Sequence, residues 1–259
     1  RGYTLNAVPD RLDKAEIERL LIGADVDVRV MPSVDSTNSE VRRLLGSGAR
    51  PILVCAESQT AGRGRSGKSF ASPEGAGLYM SLGFRPGEDF SAAAGLTAYA
   101  AVAAARAAEH AAGVFCGIKW VNDLYIGDKK VCGVLTEAVT DLETGGLGAV
   151  IVGVGINLRT AAIPEELRGI AAGLDCAGPV KNRLASEIAS ALLRFDASDK
   201  GFMDEYRARS VVLGRRVSYL VSGARVTGTA MSIDADGALH ILRDTGTADV
   251  LSSGEVSLE

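Results

Sequence analysis

Between residues 114 and 156 the chain passes through four strand-like segments in direct succession, Val114 to Trp120, Leu124 to Ile126, Lys130 to Val139 and Gly148 to Ile156. One hairpin turn is marked by Gly127-Asp128 and the next falls at Glu143 to Gly146, where glycine supplies a positive φ. No helix interrupts this run, so a regular βαβ alternation is excluded. Helical patterns occur elsewhere at irregular intervals. Ala15 to Leu21 carries Ile17, Leu20 and Leu21 before Gly23, and a second helix begins near Asn38, where Thr37 and Glu40 have capping-box spacing and the apolar stripe ends at Gly46. Ser91 to Ala112 is alanine-dominated and suits a long helix packed closely on a sheet, Pro179 to Phe195 repeats apolar residues at helical spacing, and Gly201 to Arg209 continues as a short helix. Pro51 to Ala56 and Gly77 to Phe84 read as further strands. The expected fold class is α+β, with a mixed, mostly antiparallel sheet.

After Ser210 the pattern changes to short strands only, at Arg216 to Val221, Arg225 to Ile233, Ala238 to Leu242 and Ala248 to Leu251, separated by S-G, D-A-D-G and T-G turns. Two domains follow, 1-210 and a small β-barrel at 211-259. At 259 residues, with 47% hydrophobic side chains, the chain can bury a large core, which excludes intrinsic disorder and a disulfide-stapled mini-protein. The net charge of −4 excludes a generally basic surface, so any polyanion site must be a local patch. No stretch approaches the ~18 apolar residues of a membrane span, no secretory pattern is present, and the expected location is cytoplasmic. Cys55, Cys116, Cys132 and Cys176 lie far apart, mostly in apolar runs, and read as buried thiols. His110 and His240 are the sole histidines, which argues against a histidine-based triad or a multi-histidine metal site. The sequence begins at Arg1 rather than Met, as a fragment or processed form would.

The candidate chemistry starts in the 20-residue loop from Glu57 to Ala76, which contains E-S-Q-T-A-G-R-G-R-S-G-K. Its glycines let backbone N–H groups approach a ligand, and Arg63, Arg65 and Lys68 match phosphate or carboxylate oxygens, so it reads as an anion-binding loop. Gly62 to Ser69 formally satisfies the Walker A pattern, but the F-A-S-P-E-G-A-G that follows suits a loop, not the helix a P-loop requires. A flexible solvated loop is the bland alternative. A second cluster, K-W-V-N-D-L-Y-I-G-D-K-K-V-C-G, places Lys119, Asn122, Asp123 and Lys130 around a hairpin. Such a hairpin can aim an ammonium, an amide and a carboxylate into one cleft, or be no more than a charged tip. In V-G-V-G-I-N-L, Asn157 ends an apolar strand in glycine-flanked surroundings.

D-S-T-N at 35 to 38, the glycine and arginine loop at 57 to 67, K-W-V-N-D-L at 119 to 124, K-V-C-G at 130 to 133 and G-V-G-I-N-L at 153 to 158 occur in that order. Together they resemble the biotin protein ligases, over about Gly2 to Phe195, and the all-β tail is similar to that family's SH3-like C-terminal domain. The resemblance implies a class II synthetase-like biotin/lipoate ligase catalytic domain and a two-step reaction. Biotin and ATP with Mg²⁺ give biotinyl-5′-AMP and pyrophosphate, and the acyl group then passes to one lysine of a biotin carboxyl carrier protein. It further implies that Ser36, Thr37, Asn38 and Gln59 line the biotin site, that Arg63, Gly64 and Arg65 close over biotin and the acyl phosphate, and that Lys130, with Gly133 beside it, binds carboxylate and phosphate. Lys119 would contact the phosphate, Asn122 and Asp123 would organise the phosphate or its Mg²⁺, and Phe70 and Asn157 would meet the adenylate end. Which residues ligate a metal is left open.

Two positions depart from the family pattern. Val121 stands where proline is usual, which removes a φ restraint but no functional group. Phe70 stands where tryptophan is usual and offers less stacking area. The related lipoate ligases are a rival reading, although their R-R-x-x-G-G segment is absent from this sequence. A biotinyl-adenylate-binding repressor subunit is another, since R-G-Y-T-L followed by E-I-E-R-L-L resembles the junction after a winged helix. No helix-turn-helix lies within these residues, so the expectation is no membrane and no nucleic-acid partner for this chain, with a homodimer left open.

Overall fold

The computed structural model describes residues 10–45, 50–85, 93–140 and 146–259. The turn expected from Glu143, the start of the alanine-rich helix at Ser91, the Gly46 helix stop and the R-G-Y-T-L segment lie outside the described residues. Seven strands form one sheet: β1 (Asp27–Met31), β2 (Ile52–Ala56), β3 (Gly77–Phe84), β4 (Gly117–Lys119), β5 (Asp123–Ile126), β6 (Lys129–Thr140) and β7 (Leu147–Asn157). Their order is β1-β2-β3-β7-β6-β5-β4, with β1 parallel to β2 and every other pair antiparallel. The α+β class and mostly antiparallel sheet hold. β5 and β6 turn through Gly127-Asp128, with Gly127 at φ 59°.

The two faces of the sheet are covered differently, and that difference makes the site. Leu53 and Cys55 of β2 and Val150, Val152 and Val154 of β7 face the main core. On that side pack α1 (Lys14–Leu20), α3 (Ala93–Ala112), α4 (Lys181–Leu193) and α5 (Phe202–Ala208). Ala100, Ala101, Ala104 and Ala105 of α3 are fully buried, so the alanine run is what allows this helix its close approach. On the opposite face α2 (Thr37–Leu44) seats Val41 against Ile52, Val54 and Ile151. It covers only part of that face. The rest is left open beside β3, β6 and β7.

Two expectations are corrected, and one strand was not foreseen. The strand foreseen from Val114 to Trp120 is only Gly117–Lys119, because Trp120 leaves the ladder and turns inward to donate from Nε1 to the Gly237 carbonyl at 2.9 Å. The Thr37 and Glu40 spacing makes no capping box: Ser36 occupies the N-cap, and Thr37 commits its N–H and hydroxyl to Gln59 Oε1 at 2.8 and 3.1 Å. β1 carried no expectation at all, since D-V-R-V-M exposes alternate polar residues at a sheet edge.

The second sheet is antiparallel and five-stranded, ordered β11-β10-β9-β8-β12. It comprises β8 (Arg216–Val221), β9 (Ala224–Ile233), β10 (Leu239–Arg243), β11 (Ala248–Leu251) and β12 (Ser257–Leu258). Val217, Tyr219, Leu239, Ile241 and Val256 join the main core, so the inner face of this sheet is continuous with the core of the larger unit. Among the described residues no helix is long and apolar enough to cross a membrane.

Candidate active site

The alternation V-G-V-G in β7 clears the floor of a cleft. Val152, Val154 and Ile156 point into the core, while Gly153 and Gly155 point to the α2 face. A Cβ on Gly153 would lie 2.2 Å from Asn38 Oδ1, and one on Gly155 would lie 2.7 Å from the Phe70 ring. Both strand positions therefore need glycine so that other side chains can lie flat on the sheet.

α2 delivers Ser36, Thr37 and Asn38 to one end of this floor, all 3–4% exposed. Buried polar groups must be paired, and here Thr37 and Asn38 join one hydrogen-bonded chain. Ser81 Oγ lies 2.6 Å from Asn38 Oδ1 and 2.7 Å from Thr37 Oγ1, Thr37 donates to Gln59 Oε1, and Gln59 Nε2 donates to Ser72 Oγ at 2.7 Å. Ser72 in turn donates to the Phe70 carbonyl at 2.9 Å.

The glycine loop arches above. Phe70 N–H donates to the Gly62 carbonyl at 2.8 Å, Gly64 N–H to the Lys68 carbonyl at 2.6 Å, and the apex turns through Ser66 and Gly67 at φ 55° and 75°. No helix begins at Lys68 and Ser69, where the backbone is extended, so Gly62 to Ser69 is not a P-loop. Gly62 is obligatory in a stricter sense, because a Cβ there would meet the Phe70 carbonyl at 2.4 Å. Arg65 Nη1 reaches Asn122 Oδ1 at 3.3 Å, and Arg63 Nη2 reaches Glu137 Oε2 at 2.7 Å.

The β4-β5-β6 hairpin closes the other end. Lys130 Nζ lies 2.8 Å from Asp123 Oδ2 and 5.9 Å from the centre of the Phe70 ring. The Lys130 backbone is pinned on both sides, its N–H to the Ile170 carbonyl at 2.9 Å and its carbonyl to Ala172 N–H at 3.0 Å. Asp123 Oδ1 is buried with no partner among the described residues. Lys119 lies 5.6 Å from the Tyr125 ring centre, and burial lifts the Tyr125 hydroxyl to about 12, so that phenol stays neutral. From the connection between β11 and β12 Glu255 enters the cleft and meets Lys68 Nζ at 2.5 Å, and that ammonium holds the Glu255 carboxyl below its ordinary range.

Every residue the sequence singled out lines this cleft except Asn157. Asn157 sits behind it, with Nδ2 3.5 Å from the Lys130 carbonyl and its own carbonyl accepting from Leu174 N–H at 3.0 Å. Sequence reasoning missed Ser81, Ser72, Glu137 and Glu255. A lone hydroxyl in the apolar strand L-Y-M-S-L-G-F was the available signal for Ser81; Glu255 had none, being 187 residues from its partner Lys68.

A cleft lined by arginine and lysine, with a neutral, glycine-floored end and a polar end, suits a ligase that activates a carboxylic acid. The profile of the Biotin/lipoate A/B protein ligase family matches residues 30–157, and that of the Biotin protein ligase C terminal domain matches 212–259. The Biotin--[acetyl-CoA-carboxylase] ligase of Mycobacterium tuberculosis is 34% identical over 95% of this chain and 95% of its own length. The Bifunctional ligase/repressor BirA of Bacillus subtilis is 31% identical over 98% of this chain and 81% of its own. Among solved structures, the biotin protein ligase from Aquifex aeolicus in complex with biotin and ATP superposes with a TM-score of 0.74 at 29% identity, covering 90% of this chain and 98% of that one. The chain belongs to the biotin protein ligase family. It is an enzyme of the ligase class.

Proposed function

We propose that this protein joins biotin to ATP as biotinyl-5′-AMP and then transfers the biotinyl group to a lysine of a biotin carboxyl carrier protein. The observation that carries this reading is the Lys130–Asp123 pair at 2.8 Å, set between the glycine floor of β7 and the arginines of the loop. In the first step a biotin carboxylate oxygen attacks the α-phosphorus of ATP, and the bond to the β-phosphate bridging oxygen breaks to release pyrophosphate. The carboxylate is already ionised at neutral pH, so no general base is needed. What opposes the step is repulsion between two anions. Lys130, held by its backbone and by Asp123, offers a fixed positive charge where negative charge develops, with Arg63, Arg65 and Lys119 around it. In the second step the acceptor amine attacks the acyl carbon, loses a proton as the amide forms, and AMP departs.

Ser36, Thr37, Asn38 and Gln59 are assigned to biotin, whose ring urea presents both donors and acceptors to that hydrogen-bonded end. Gly133 borders the acyl group, where a Cβ would lie 3.2 Å from Lys130 Nζ. Phe70 is assigned to the adenylate. Asn157 moves from ligand contact to support of the Lys130 backbone. A divalent ion fits the residues present: Asp123 Oδ1 is a buried acceptor without a partner, and the Asn122 carboxamide oxygen is next to it in sequence. Mg²⁺ held there would neutralise phosphate charge. The boundary near residue 210, a cytoplasmic location, pairing with a second copy of the chain and the absence of a nucleic-acid partner for this chain belong to this proposal too.

Acid-dependent exchange of labelled pyrophosphate into ATP tests it. Biotin should support exchange and lipoate should not. Exchange with lipoate alone would assign the cleft to the lipoate ligases.

A further inference from the structure

Glu137 of β6 joins the cleft floor to the overhanging loop. Its Oε2 accepts from Asn38 Nδ2 at 2.7 Å and from Arg63 Nη2 at 2.7 Å, and its Oε1 lies 3.6 Å from Arg42 Nη2. Arg63 has no other carboxylate partner among the described residues. Among the described residues, two further side-chain polar contacts tie the loop's apex, Gly62 to Ser69, to the rest of the chain. Lys68–Glu255 joins two side chains that are each 62% exposed, so solvent and salt screen it. Arg65 reaches only a neutral amide at 3.3 Å. Glu137, at 21% exposure, makes the stronger, charge-assisted contact.

The polar chain described above closes on itself through this residue. It starts at Arg63, passes through Glu137, Asn38, Ser81, Thr37, Gln59 and Ser72, and ends on the Phe70 carbonyl at the other arm of the loop. Loop and floor are therefore one hydrogen-bonded unit, and Glu137 is the link in it that carries a negative charge, opposite the Arg63 guanidinium.

We propose that Glu137 is a positioning residue that holds Arg63 down on the cleft and so sets how long the acyl adenylate is retained. This rests on the reading of the cleft as a biotin adenylation site. Glu137→Gln keeps an oxygen for Asn38 but removes the charge that holds Arg63. Release of preformed, labelled biotinyl-AMP is measured by chase with unlabelled intermediate, beside equilibrium affinity for biotin alone. Glu137→Gln should speed release roughly tenfold, as loss of a charge-assisted contact does, with biotin affinity little changed. Arg63→Gln should speed it similarly, and the double variant should be no faster than either single, since all remove one contact. Raising ionic strength from roughly 0.05 to 0.5 M should speed release from the wild type more than from the variants.

Additive effects in the double variant, or parallel loss of biotin affinity and retention in Glu137→Gln, would overturn the proposal and leave Glu137 a mere support for Asn38. Should Glu137→Gln fail to fold, the exposed-loop variant Arg63→Gln decides: an unchanged, salt-independent release rate refutes the clamp. A wild-type protein that forms no biotinyl-AMP from biotin and ATP would instead refute the adenylation reading, and the clamp with it.

Discussion

Replacing Lys130 with alanine separates two things its side chain does. Toward substrates it supplies positive charge. Toward the fold it neutralises Asp123, whose Oδ2 it meets at 2.8 Å and whose Oδ1 is already buried without a partner. The side chains are 31% and 23% exposed, so the pair is partly desolvated and the abandoned carboxylate has few alternatives. Lys130→Ala should slow biotin-dependent pyrophosphate release by ~10²-fold or more, about 2.7 kcal/mol or more of transition-state stabilisation. It should also cost about 1–3 kcal/mol of stability by stranding Asp123. Adding Asp123→Asn to Lys130→Ala should recover much of that stability, because a neutral amide tolerates the site better, while the rate stays low. Pyrophosphate release and thermal melts of the single and double variants read the two effects separately. Release near the wild-type rate in Lys130→Ala would remove Lys130 from the reacting centre, and recovery of rate together with stability in the double variant would reduce its role to packing.

Arg65→Ala removes a contact to Asn122 at 3.3 Å and one loop cation, and should release biotinyl-AMP early; at matched rates of pyrophosphate release, a bystander such as albumin should then gain more biotin than with wild type. Gly153→Ala places a methyl 2.2 Å from Asn38 Oδ1, so calorimetry should find biotin affinity lowered by tenfold or more in a protein that still folds, each tenfold being about 1.4 kcal/mol. Burial raises the thiols of Cys55 and Cys116 to about 12 and about 11, and those of Cys132 and Cys176 also lie above the ordinary value. At a working pH near 8, well below those values, the thiolate fraction is small, so iodoacetamide should label the native protein far more slowly than the denatured one; rapid native labelling would contradict the burial.

How much of this was legible in the sequence depends on the range of each interaction. The K-W-V-N-D hairpin is a local pattern that follows from strand periodicity, so the grouping of Lys119, Asn122, Asp123 and Lys130 around one turn was legible, whereas the V-G-V-G of β7 was read only as the surroundings of Asn157 and not as a floor. Gly62 and Gly67 announced a backbone that must turn sharply or approach closely, and each does. Glu137 was invisible, because a single carboxylate on a strand looks the same facing solvent or facing Arg63, 74 residues earlier. Thr37 misled for a related reason: local spacing promised a helix cap, but the tertiary partner Gln59, 22 residues away, took the hydroxyl. Asn157 shared the glycine-flanked signature of the floor, yet its position at the end of β7 placed it behind Lys130.

The most direct test supplies the protein with labelled biotin, ATP, Mg²⁺ and a biotin carboxyl carrier domain, and follows label on the acceptor lysine. ATP-dependent incorporation, abolished when that lysine is changed to arginine and strongly reduced by Lys130→Ala, is the predicted result. Biotin-dependent pyrophosphate release with no label reaching any carrier domain would contradict the account, leaving an adenylate-binding protein in place of a ligase.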